Sequence, residues 1–249
     1  MKRLTLFLVF IIGGYLIWSV QDLPDWADPT SPASTYLSPH FIQKTIEETS
    51  VPNIVTSVLA DYRGYDTMFE TIVIFCAGLA VLTILRRTHR RNKKVIKPRP
   101  QREGVDIIVQ NTARLVIPPM QLFALYVVAH GHHSPGGGFQ GGVILGASFI
   151  LLALAYDLKS TLKRFRESTV LFYSVLGVIV YAGIGFVCLF LGRNFLAYAA
   201  WSKFLGITEV EAHSHGMLGV EVGVALTVMA IMFSLYADLA SGGDLDEGL

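Results

Sequence analysis

Six runs of apolar residues along the chain are each long enough to cross a bilayer: 4–20, 67–85, 113–129, 139–156, 170–191 and 216–236. A spanning helix needs about 20 mostly apolar residues, within a range of roughly 17–25. The first run is short and follows Lys2 and Arg3, the layout of a secretory signal. No small-x-small cleavage site follows it; Trp18, Gln21, Asp22 and Leu23 stand there instead, so it reads as an uncleaved anchor. The pattern predicts an all-α polytopic membrane protein of about six transmembrane helices.

Charge orients the spans. With the N-terminus inside, the inner segments hold sixteen Lys and Arg and the outer segments four, Lys44, Arg63, Arg193 and Lys203. That asymmetry, counted over short loops, places the N-terminus inside. An even number of spans returns the C-terminus to the same side. Composition agrees: 52% of residues are hydrophobic, 16% are charged and the mean hydropathy is +0.51. Soluble domains carry about 25% charged residues, and disordered chains need low hydrophobicity with high net charge. Both classes are excluded. Cys76 and Cys188 both fall within predicted spans, where they read as small apolar side chains and not as an exported disulfide framework.

The chain divides into two modules and a linker. Residues 1–85 form a two-span module with a long outer segment, 21–66. Within that segment Ser38 reads as a helix N-cap with Pro39 at the first helical position. Ser50 and Pro52 repeat the signal ahead of 53–60. Residues 86–104 form a basic inner linker, with nine Lys and Arg between Arg86 and Arg102. It reads as a topology determinant near anionic headgroups, and no nucleic acid is expected as a partner. Residues 105–240 form a four-span module, and 241–249 an acidic tail. Pro118-Pro119 should kink or break the third span, because proline removes backbone hydrogen bonds.

Ionisable groups within spans are costly and usually face a bundle interior or a wet cavity. Glu221 lies in the last span; Asp66 and Glu70, four apart on one helix face, lie at the outer end of the second, just after Asp61 and Arg63. Arg114 and Gln121 share a face of the third. Each has a plainer reading beside it: Arg114 snorkels to the headgroups, Asp66 starts its helix, and Glu221 makes a packing hydrogen bond. A carboxylate in low dielectric takes and releases a proton more readily near neutral pH, which is what a proton or Na⁺ relay requires. His130, His132 and His133 in HGHHSPGGGFQGG and His213 and His215 in EAHSHG form a second set on the outer side. They suit proton exchange at a pore mouth. A Zn²⁺ or Cu²⁺ site stays open, although no HExxH pattern accompanies them, and no resident metal or cofactor is expected. Gly136, Gly137, Gly138, Gly141 and Gly142 lack the Lys-Ser/Thr of a nucleotide loop; with Pro118 they read as helix-packing positions.

The stretch Thr112-Ala113-Arg114, Pro118, Leu125-Tyr126 and His130 through Gly142 resembles the MnhB family, the B-type component of Mrp-type cation/proton antiporters, and its relatives in membrane-bound hydrogenase complexes. His133 departs from that pattern, where asparagine is more usual. Residues 53–70, ending Asp61-Tyr62-Arg63-Gly64-Tyr65-Asp66-Thr67-Met68-Phe69-Glu70, resemble the acidic signature of the E-type component of membrane-bound hydrogenases and of the C-terminal part of the large MrpA protein, with Phe69 in place of a glycine. The resemblance implies a fusion of an E-type and a B-type module. It implies a non-catalytic subunit that helps carry Na⁺ and H⁺ across the inner (cytoplasmic) membrane. The implied partners are large proton-pumping multi-span subunits, a small C-type subunit, and the bilayer. Asp66, Glu70 and Glu221 carry over as ion-pathway positions. An independent cation carrier, a membrane subunit of a redox-driven complex and a membrane metalloenzyme built on the five histidines remain as rival functions.

Overall fold

The computed structural model describes residues 2–92 and 107–243, so most of the basic linker and of the acidic tail lies outside the described residues. Among these, all regular structure is helical, and six helices are long and apolar enough to cross a membrane. In chain order the longer helices are α1 (Lys2–Ser19), α2 (Ser38–Thr49), α3 (Gly64–Asn92), α4 (Ile107–Ala129), α5 (Gly138–Tyr156), α6 (Leu158–Arg164), α7 (Glu167–Phe190) and α8 (Glu209–Ser241). The expected all-α, six-span architecture is present. The chain falls into two compact units, residues 1–44 and 45–249.

In the first unit, no residue in the most apolar part of the spanning stretch Leu4–Asp22 is buried. A turn follows in which Asp28 Oδ1 accepts from both the backbone and the hydroxyl of Thr30. Ser38 is not the N-cap expected of it. A π-helical turn, Ala33–Leu37, runs directly into α2, and Ser38 has helical dihedrals with its hydroxyl donating to Ala33 O at 2.8 Å. The hydroxyl satisfies a carbonyl one turn back, so it does not cap.

The second unit is built around α8. Of its most apolar stretch 61% is buried, against 11% for α3, and it packs against α3, α5 and α7. A capping box starts it: Thr208 Oγ1 accepts from Glu211 N, and the Glu211 carboxylate accepts from Thr208 N. The helix therefore begins seven residues before the apolar run at 216, and His213 and His215 stand on its opening turns. Small residues let its neighbours close in. Gly138, Gly142 and Gly146 form an i, i+4 ridge on α5 facing Glu221, Ala225 and Met229 of α8. A Cβ on Gly142 would lie 2.8 Å from Ala225 O, and one on Gly138 would collide with Glu221 O. Gly141 turns the other way, toward Ala124 and Val128 of α4.

α4 runs unbroken through Pro118 and Pro119, which corrects the expected break. Both prolines are exposed, whereas Ala113, Ile117 and Ala124 form the buried face. Pro118 therefore lies off the buried face of its helix. The carbonyls that lose their i+4 donor, those of Arg114 and Leu115, belong to exposed residues, so the remaining ladder continues.

Candidate functional site

Glu221 sits where α8 meets the loop between α4 and α5. It is 8% exposed, and its Oε2 has no hydrogen-bond partner. Glycines make the room for it. Cβ atoms on Gly131 and Gly137 would lie 2.6 and 2.8 Å from its two carboxylate oxygens, and Gly137 takes φ +138°, which favours glycine. Gly136 abuts Val127 O at the base of the same loop. A small cavity of about 50 Å³ lies against the carboxylate, lined also by Thr56, Gln140 and Tyr181. That is room for more than one water-sized occupant, which needs roughly 10–15 Å³ on this measure. A buried polar atom without a partner costs free energy unless something binds it.

The loop over Glu221 is held by residues that sequence reasoning did not single out as functional. Asn53 caps the short helix Ile54–Ser57, its Oδ1 accepting from Val55 N. Its amide donates to Gly131 O at 2.7 Å and Ser134 O at 2.8 Å, and its backbone N donates to His132 O at 3.0 Å. The Thr56 hydroxyl donates to Gly131 O at 2.7 Å. The short helix thus grips the histidine–glycine loop from the far side of the sequence. An asparagine at a helix start was the available signal; its second role needs the tertiary structure.

Asp61 and His213 meet at 2.5 Å between Oδ2 and Nδ1. They line a wide pocket of about 360 Å³ with Glu48, Tyr62 and Glu209. Burial, together with the hydrogen bond to Glu48, pushes the Tyr62 hydroxyl above its ordinary range. Behind this pair lie two phenols with no exposed surface. The Tyr198 ring stands edge-on to His213, with centroids 6.0 Å apart, and its hydroxyl donates to Ala60 O at 2.8 Å. The Tyr181 hydroxyl donates to Gly64 O at 2.8 Å. Burial raises Tyr198 well above the usual tyrosine value, and the neighbouring Tyr181 and Asp61 add to that. It stays a protonated donor.

At the opposite end of α8, Asp238 is 1% exposed and accepts from Arg86 Nε at 3.1 Å, while Arg86 Nη1 pairs with Glu167 at 2.5 Å. This cluster ties α3, α7 and α8 together. The sequence reading counted Arg86 as part of the basic run, and Asp238 went unnoticed. His213 and Asp238 are 25 residues apart on one helix, about 37 Å at 1.5 Å per residue.

The other expected positions scatter. Asp66 is exposed and paired with Arg63 at 2.5 Å; Glu70 is exposed one turn further on. His130, His133 and His215 are exposed, and His130 stacks on Tyr126 with ring centroids 4.0 Å apart. His132 is buried with Nε2 unpartnered, and burial, with the imidazoles of His133 and His215 adding to it, lowers its pKa below the usual histidine value. Gln121 donates to the Ser148 hydroxyl at 3.2 Å, whereas Arg114 is exposed. The structure thus joins Asp61 to His213 and Glu221 to the glycine loop, and leaves Asp66 and Glu70 on an outer face. Among the described residues no three His, Cys, Asp or Glu side chains converge as a metal site.

A multi-pass helical membrane protein whose longest helix carries a buried acid under a glycine loop is the class these features define. Residues 108–234 match the family model described as a domain related to the MnhB subunit of Na⁺/H⁺ antiporter, and the chain belongs to that family. Residues 1–103 match the MbhE model, which describes the E-type component of MBH. A Staphylococcus haemolyticus protein described as antiporter subunit mnhB2 is 30% identical over 142 residues, covering 55% of this chain and 96% of that one. A Rhizobium meliloti chain described as the A/B component of a K⁺/H⁺ antiporter is 25% identical over 185 residues, but those are only 18% of its length. Among solved structures, a chain of the membrane-bound sulfane sulfur reductase, an archaeal respiratory membrane complex, superposes with a TM-score of 0.60 at 26% identity over 93% of this chain and 97% of that one. A chain of the Mrp complex from Dietzia gives 0.64 at 25% identity, over 98% of this chain and 26% of that one.

Proposed function

We propose that this chain is a membrane subunit of a multisubunit monovalent cation/proton antiporter of the Mrp type, with Glu221 as the group in it that binds the moving ion or proton. The observation that carries the reading is the Glu221 carboxylate itself, buried within a span with one oxygen unpartnered and a cavity beside it. A structural acid in that position would have its lone pairs satisfied by its own chain. The matches to antiporter subunits and to a chain of an Mrp complex support the assignment to such an assembly. The likeness to a respiratory-complex chain keeps a redox-driven relative as the second reading. In either case the chain works beside large multi-span subunits in the cytoplasmic membrane, does no covalent chemistry and needs no resident cofactor; Na⁺ and H⁺ are cargo.

The test is Glu221→Gln in the assembled complex, reconstituted in vesicles, with proton movement driven by a Na⁺ gradient. The substitution keeps the side-chain volume and removes the titratable group. Exchange is expected to be lost while the subunits still co-purify. Wild-type exchange overturns the assignment of Glu221, and loss of assembly returns it to a structural role.

A further inference from the structure

We propose that Tyr181 and Tyr198 form a buried proton route from the Asp61–His213 pair to Glu221, with the space beside Gly64 as its middle step. This rests on the reading of Glu221 given above and adds its connection to the aqueous pocket.

Three observations lay out the route. At its mouth, Asp61 and His213 line the wide pocket, and Tyr198 stands against His213 with its hydroxyl on the carbonyl of Ala60, the residue beside Asp61. At its inner end, Tyr181, Ala60 and Glu221 line the same small cavity. In the middle, both phenol hydroxyls lie 3.8 Å from the point where a Cβ on Gly64 would sit. They are therefore no more than about 7.6 Å apart, a gap that one or two waters would span, water-mediated hydrogen bonds being nearly as favourable as direct ones.

Each phenol now donates to a backbone carbonyl, which leaves its oxygen free to accept. Transfer is a concerted relay in which each phenol oxygen accepts a proton as it gives one, so neither stands as a phenolate. As Tyr181 gives its hydroxyl proton to the Glu221 carboxylate, directly or through cavity water, its oxygen takes one by way of water beside Gly64 from Tyr198. Tyr198 is reprotonated from the His213 imidazolium, and His213 from water in the outer pocket. One proton crosses, both phenols end as they began, and no oxidant or second reactant is needed.

The experiment uses the assembled complex in vesicles, with Na⁺-driven proton movement measured in H₂O and in D₂O. Tyr181→Phe and Tyr198→Phe are each expected to slow exchange on the order of ten- to a hundredfold, the scale of a lost proton-transfer group. The solvent isotope effect should rise, and the Na⁺ concentration giving half the maximal rate should not move. Gly64→Ala provides the variant that keeps both hydroxyls and both carbonyl bonds. Its Cβ would come nearest a terminal methyl of Leu196, at 3.2 Å, with the two hydroxyls in ordinary contact at 3.8 Å, yet it occupies the bridging space. It too should slow exchange with a raised isotope effect, which a merely structural role for the tyrosines would not produce. Phenylalanine variants that exchange at the wild-type rate, or that are slow with an unchanged isotope effect, overturn the route. If these fail while Glu221→Gln still abolishes exchange, only the route is lost. If Glu221→Gln exchanges normally, the reading beneath it goes first.

Discussion

Glu221 and Glu70 are the same residue type, both within helices that cross the membrane, and the structure treats them oppositely. Glu221 lies inside the chain, beneath a loop that Asn53 and Thr56 hold shut. Glu70 lies on an open flank of α3 among exposed Tyr65, Phe69 and Val73, close to the exposed Arg63–Asp66 pair. A carboxylate facing lipid is expensive, and such groups normally face protein or a water-filled cavity. The chain therefore encloses one of these acids by itself and leaves the other uncovered. In the Dietzia Mrp complex the matching segment is part of a chain about four times as long, so relatives exist in which more protein is available to cover such a flank.

The largest effect is expected where the closed site is packed. In Gly138→Leu the side chain must displace the backbone of α8 at Glu221, since even a Cβ collides with Glu221 O. Overpacking typically costs about 1–3 kcal/mol and occasionally more; a clash with helix backbone belongs at the upper end. The purified protein should lose yield and melt well below wild type. A normal melting midpoint would mean that α5 and α8 do not meet at this glycine.

The next contrast concerns the open site. In the isolated chain, Glu70→Gln should leave stability within about ±0.5 kcal/mol, as for surface substitutions in general. In the assembled complex the same substitution should lower Na⁺-driven exchange or weaken co-purification of the neighbouring subunit. If instead it destabilises the isolated chain as a core substitution would, Glu70 is packed by its own chain and the comparison fails.

Much of this was legible in the sequence. Spans are read well because about 20 apolar residues have one physical use, and the count of six survived. Faces were not legible. α3 is apolar nearly all round, so spacing puts Asp66 and Glu70 together without saying whether they point in or out. The ends of helices were read too short where polar residues continue the helix, as at His213 and His215. The Thr208–Glu211 capping box was the cue there. The partners of the acids were hidden for a different reason: Asp61 and His213 are 152 residues apart, as are Arg86 and Asp238. No local pattern reports a contact of that separation. The glycine loop and Glu221 each stood out alone, and only the fold puts one on the other.

The smallest expected effect belongs to His132, which shares the closed site's loop. It is buried with Nε2 unpartnered, and burial, reinforced by the imidazoles of His133 and His215, holds its pKa below 6.5. The native state thus keeps this side chain neutral in a range where the unfolded chain binds a proton. Stability rises with pH wherever the unfolded state binds more protons. The contribution of His132 is therefore intact above about pH 6.5 and is lost as pH falls from there toward its lowered native value. Melting of the detergent-purified protein from about pH 7.5 down to about 5.5 should show a falling midpoint. In His132→Asn, which cannot titrate, the fall should be shallower even if the midpoint at the upper end of that range is also lower. An equal slope in the two proteins would remove His132 from the groups that distinguish the closed site from the open flank.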